Sequence, residues 1–116
     1  MVFLGILAFA PVAVGMELNE VLTKIGTRIG SFQCRPEKVA SVIQSEDEMW
    51  MVLLMAKTGK IIMIEKDEEG NDIRVVFGKV WLAGRELKLD IEFTLSAEEA
   101  MKRFPNPCDY LAPLEA

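Results

Sequence analysis

The second half of the chain carries two hydrophobic patterns, and both belong to β-strands. Met49–Ala56 (MWMVLLMA) is an unbroken apolar run, short and bounded by polar residues, which predicts a central strand covered on both faces. Arg85–Leu95 alternates strictly, so Leu87, Leu89, Ile91, Phe93 and Leu95 are expected on one face and Glu86, Lys88, Asp90, Glu92 and Thr94 on the other. Two further strands, 60–66 (KIIMIEK) and 73–82 (IRVVFGKVWL), lie between them. Short turn sequences join all four: Lys57-Thr58-Gly59, the acidic Asp67–Asp72 with Gly70-Asn71 at its tip, and Ala83-Gly84. Such short connections require a mainly antiparallel meander.

The first half has a different period. Leu18, Val21, Leu22, Ile25 and Ile29 form one stripe of a helix over residues 17–29, with Glu17 and Glu20 in its first turn, Arg28 in its last and Gly30 at its stop. Gly26 in its interior implies close packing. Residues 36–45 (PEKVASVIQS) fit two patterns: Pro36-Glu37 opens a short helix, the reading favoured here, while Val39, Ser41 and Ile43 also alternate as in a strand. Near the C-terminus, Ser96-Ala97-Glu98-Glu99 is a capping box. It predicts a helix over about 97–103, with Ala97, Ala100, Met101 and Phe104 turned inward and Pro105 ending it. The tail 105–116, with Tyr110, Leu111 and Leu114 among prolines, is expected to lie extended on the surface.

The predicted fold class is therefore α+β: a mainly antiparallel, four- to five-stranded curved sheet packed on one long N-terminal helix (17–29), with a short C-terminal helix. This order of elements resembles that of cystatins. The Gln-x-Val-x-Gly hairpin of that family is absent, so no inhibitory residues carry over.

Residues 1–15, the first domain segment, stand apart from the single domain expected over 16–116. Met1–Met16 has no charged side chain. A signal peptide is one reading, since Ala13-Val14-Gly15 permits cleavage before Met16, although the basic n-region is missing. As a membrane span the segment is short, reaching about 24 Å, and Pro11 interrupts it. Met16 as the true start is a third reading. A segment that docks on the fold or on another chain is the fourth, because its large side chains gain about 1.5–3 kcal/mol each on burial. If residues 1–15 target the protein, it is membrane-associated or exported; otherwise it is cytoplasmic.

Composition mainly excludes. The chain has 116 residues, 51% hydrophobic and 27% charged, the profile of one folded domain. Its net charge of −5 arises in the middle third, where residues 46–72 hold eight acids and three bases. Scattered bases argue against a nucleic-acid partner. There is no histidine, which removes imidazole catalysis and histidine metal ligation. No nucleophile–base pair suggests an enzyme and no motif suggests a cofactor. The acidic 67–72 turn lacks EF-hand ligand spacing and reads as a solvated tip. Met49, Met51, Met55 and Met63 are expected in the core, and the aromatics Trp50, Phe77, Trp81 and Phe93 in the core or on one sheet face.

Two candidate sites remain. Cys34 and Cys108 are the only cysteines; in an oxidising compartment they would close a loop of about 75 residues, with a stabilisation of roughly 4 kcal/mol. Phe3, Leu4, Leu7 and Phe9, together with Val76 and Val80 on a half-apolar outer sheet face, are the candidate interface. The expectation is a non-enzymatic accessory or interaction subunit that contacts a protein partner or a second copy, near a membrane if the opening segment places it there. The alternative is a small exported domain that binds an apolar ligand or protein and is stapled by a Cys34–Cys108 disulfide.

Overall fold

A computed structural model describes residues 25–114 of the chain. Six strands form one antiparallel sheet in sequence order: β1 (Gly26–Arg35), β2 (Lys38–Ser45), β3 (Trp50–Met55), β4 (Lys60–Lys66), β5 (Asp72–Ala83) and β6 (Glu86–Ser96). Two short helices follow, α1 (Ala97–Arg103) and α2 (Cys108–Leu111).

The expected fold class requires correction. The predicted 17–29 helix is a strand from Gly26 on, because Gly26–Ile29 open β1; Ile25 is helical and the earlier part lies outside the described residues. No long helix packs on the sheet among the described residues, so the cystatin-like order is not present there. The strands number six because residues 36–45 also extend the meander. Pro36 and Glu37 form the turn between β1 and β2, where Glu37 takes the left-handed φ of 64°. Proline followed by a positive-φ residue suits a type II turn, and the alternation of Val39, Ser41 and Ile43 then governs the segment. Gly26 is needed for close approach, to a neighbouring strand: a Cβ there would lie 2.0 Å from the Gln44 carbonyl oxygen.

β3 lies inside the sheet and is covered on both faces, with Leu53 and Met55 on one side and Val52 and Leu54 on the other. On the helical face, Phe77 is the centre of an aromatic group. Its ring lies 4.7 Å from Phe93, 5.0 Å from Phe104 and 5.0 Å from Tyr110. α1 starts where the capping box places it, the Ser96 hydroxyl accepting from the Glu99 N–H at 3.2 Å.

The tail is docked on the helical face rather than extended along the surface. Tyr110, Leu111 and Ala112 are buried, and α2 is held by links from several other elements. Cys108 is disulfide-bonded to Cys34 of β1. The Arg35 guanidinium donates to the Ala112 carbonyl, and the Lys60 ammonium donates to the Tyr110 carbonyl while lying 4.5 Å from that ring's centre. Leu114, beyond these links, is exposed.

β6 does not keep its five apolar residues on one face. Phe93 pairs with Phe77, but the next pair is Ile91 with Gly78, so Glu92 is an extra residue in the ladder. Such a bulge shifts the side-chain phase by one. Phe93 and Leu95 therefore join the aromatic core, while Leu87, Leu89 and Ile91 turn to the opposite, open face. Gly78 makes room for the irregularity: a Cβ there would sit 2.2 Å from the Asp90 carbonyl oxygen.

Candidate functional site

The open face carries its own buried cluster of Ile43, Val52, Leu54, Ile61 and Val80, against which Leu82 and Leu87 pack. In a flat sheet, strands about 4.8 Å apart would hold β2 and β6 well out of contact. Here one groove is lined from Ile25 and Ser45 on one side to Leu89 and Ile91 of β6 on the other, so this face is concave.

Beside that cluster the groove has a volume of about 440 Å³. Val52, Met63 and Val76 line it from the middle strands, Ile25 and Trp50 from one side, and Leu89 and Ile91 from β6. Ser45, Arg74 and Thr94 supply its polar rim. Its volume falls within the usual range of ligand pockets, about 300–1,000 Å³, and its wall is mostly apolar as such pockets are. A second cavity, between α1 and the sheet, measures about 130 Å³ and holds at most a very small apolar molecule. The groove is the better candidate.

Leu89 is 43% exposed and Ile91 53% exposed. Two large aliphatic side chains thus stand together, about half exposed, on the groove wall. Met63 adds an adaptable thioether and Trp50 a broad amphipathic ring to the same wall.

Among the described residues, Arg74 is the one charged residue that lines the groove, and the turns beyond its end are acidic. In a meander, alternate turns lie at the same end of the sheet, so the β2–β3 turn (Glu46, Asp47, Glu48) and the β4–β5 turn (Asp67, Glu68, Glu69) are neighbours. The Lys66 N–H donates to the Met49 carbonyl between them at 2.8 Å. Two bases on the adjoining strands are already engaged, Arg74 with Glu65 at 2.8 Å and Lys66 with Asp72. From Ser45 and Trp50 the groove continues into a shallow annex walled by Glu46 and Asp47. Backbone donation from the Met49 N–H, then the Ser45 hydroxyl, holds the Asp47 carboxyl below its ordinary value. Asp67 is lowered likewise, first by the Asn71 N–H and then by the Glu69 N–H. Both carboxylates close their own turns.

Of the residues expected at an interface, Val76 lines the groove and is buried, while Val80 belongs to the core cluster beneath it. Phe3, Leu4, Leu7 and Phe9 lie outside the described residues. Alternation places the exposed Leu89 and Ile91 on one face with Phe93 and Leu95; a lone glycine in a strand, Gly78, is the available sign of the bulge that separates them. Trp50, expected in the core or on one sheet face, and Met63, expected in the core, line the groove and pack against the core cluster beside it.

Cys34 and Cys108 are brought together, with Cα atoms 5.4 Å apart. Among the described residues, no group of three or more acidic or cysteine side chains is placed to hold a metal ion, and no helix is long and apolar enough to cross a membrane. No protein-family model matches the sequence, and neither characterised proteins nor solved structures show a match to it.

Proposed function

We propose that the protein is a non-enzymatic interaction subunit whose contact surface is the concave open face of the sheet. The observation that carries this reading is the groove of about 440 Å³ walled by half-exposed Leu89 and Ile91. An apolar wall with a sparse polar rim suits binding. The apolar segment 1–15 is a proposed second contact, toward a larger assembly or a membrane.

The test is the native mass of the full chain isolated from its source, with and without Leu89→Asp and Ile91→Asp. A partner or second copy bound to the natural chain and lost from the double variant is the supporting result. A monomer with an intact N-terminus overturns the reading.

The Cys34–Cys108 bond favours a second reading, that of an exported binding domain, because structural disulfides persist in oxidising compartments. Intact mass checks it: loss of residues 1–15 and of two hydrogens is expected of a cleaved, oxidised chain, and a full-length dithiol speaks against export.

A further inference from the structure

We infer that the groove receives a cationic amphipathic segment of another protein, its apolar side chains against Leu89, Ile91 and Trp50 and its flanking Lys or Arg residues toward the acidic β2–β3 turn, whose Glu46 and Asp47 wall the annex. This rests on the open face being the contact surface and names the class of partner that fits it.

Two features of the face select that occupant. Its wall is apolar across the width of the sheet, which suits a stripe of aliphatic or aromatic side chains rather than a polar strand. Its open end leads directly to the acidic β2–β3 turn, with the β4–β5 turn alongside. Arg74 at the rim already pairs with Glu65, so the cation that might attract an acidic ligand is engaged. Charge of one sign at the mouth of a groove raises the encounter rate of oppositely charged partners and disfavours like-charged ones.

The same charges weigh against the other occupants. A fatty acid would bring its carboxylate to the acidic mouth. Residues 1–16 of this chain carry no side-chain charge to meet Glu46 and Asp47, and residues 17–24, with Glu17 and Glu20 against Lys24, are net negative. An anionic lipid surface is repelled.

The experiment is calorimetric titration of the full chain with two short amphipathic peptides that share one Leu face, one carrying Lys on its polar face and the other Glu. Four proteins are compared: the natural chain, Ile91→Asp, the pair Glu46→Lys with Glu48→Lys, and the pair Phe3→Asp with Leu7→Asp. Asp47 is retained because it closes its turn through the Met49 N–H.

The natural chain is expected to bind the Lys peptide and reject the Glu peptide, with affinity falling as salt is raised. Ile91→Asp should abolish binding, and the charge reversal should weaken it about tenfold. Equal binding of both peptides, or Lys-peptide binding that survives Ile91→Asp, overturns the inference. So does binding that appears only in the Phe3/Leu7 variant, which makes the N-terminal segment the occupant, or a dimer dispersed by Ile91→Asp, which makes it a second copy. If neither peptide binds but Ile91→Asp still releases the natural partner, the cationic class is wrong and the contact surface stands. If that partner is also retained, the proposed function fails with it.

Discussion

The hydroxyl of Tyr110 donates to the carboxylate of Glu92, and that bond ties the C-terminal segment to the one extra residue in β6. The Gly78 carbonyl lies 3.3 Å from the same hydroxyl, so the phenol sits over both sides of the bulge. Burial first, and then the Glu92 carboxylate, push the Tyr110 phenol well above its ordinary value.

A pH dependence follows. In the unfolded chain the phenol ionises near pH 10, whereas in the fold it keeps its proton to higher pH. Above about pH 10 the unfolded state has released a proton that the folded state retains, so stability falls as pH rises. Tyr110 is the only tyrosine in the chain, so absorbance titration reads it alone. Denaturant midpoints should decline more gently above pH 10 in Tyr110→Phe, which is also less stable at neutral pH by about 1 kcal/mol.

The Cys34–Cys108 bond closes a loop with a sequence separation of 74 and anchors α2, whose Tyr110 and Leu111 seal the aromatic core. Loop entropy predicts that reduction, or the paired change of both cysteines to Ala, lowers unfolding free energy by roughly 4 kcal/mol. Urea unfolding with and without a thiol reductant measures it.

Gly78→Ala places a methyl group 2.2 Å from the Asp90 carbonyl oxygen, in backbone that cannot swing aside as a side chain does. A loss of about 2–3 kcal/mol is expected from such overpacking. Gly30→Ala is the control: no atom lies within 4 Å of its added Cβ, and its change should stay within about 0.5 kcal/mol. Thermal melts of the two variants side by side distinguish a local clash from a general intolerance of larger residues in strands.

Leu89→Asp and Ile91→Asp change side chains that are about half exposed, so each should alter stability by less than about 0.5–1 kcal/mol. Phe77→Ala, at a position only 1% exposed and packed against three rings, should lose about 3–5 kcal/mol. Urea midpoints of the three variants test whether β6 presents an outer contact surface over a separate core.

The strands from Met49 onward were legible because their apolar runs and turn glycines agree. Gly59 and Gly84 do take positive φ in the turns assigned to them. The Ser96 cap was legible for the same reason: its hydroxyl and the Glu99 N–H are local partners. β1 was not legible. Ile25 and Ile29 extend a helical stripe that begins at Leu18, while β1's commitment to a strand comes from pairing with β2, a contact no local pattern records. The groove was hidden by the same kind of gap. Alternation alone keeps Ile91 and Phe93 together, and only the non-local pairing of Gly78 with Ile91 separates them.

With Glu92 inserted, β6 belongs to two surfaces at once. The half from Phe93 to Leu95 packs with the hydrophobic interior, and the half from Leu87 to Ile91 faces what comes from outside. One strand thereby serves both faces of the sheet without a dedicated loop. Loss of that single residue would exchange inside for outside along half of the strand, so the open face depends on the number of residues in β6 as well as on their kind.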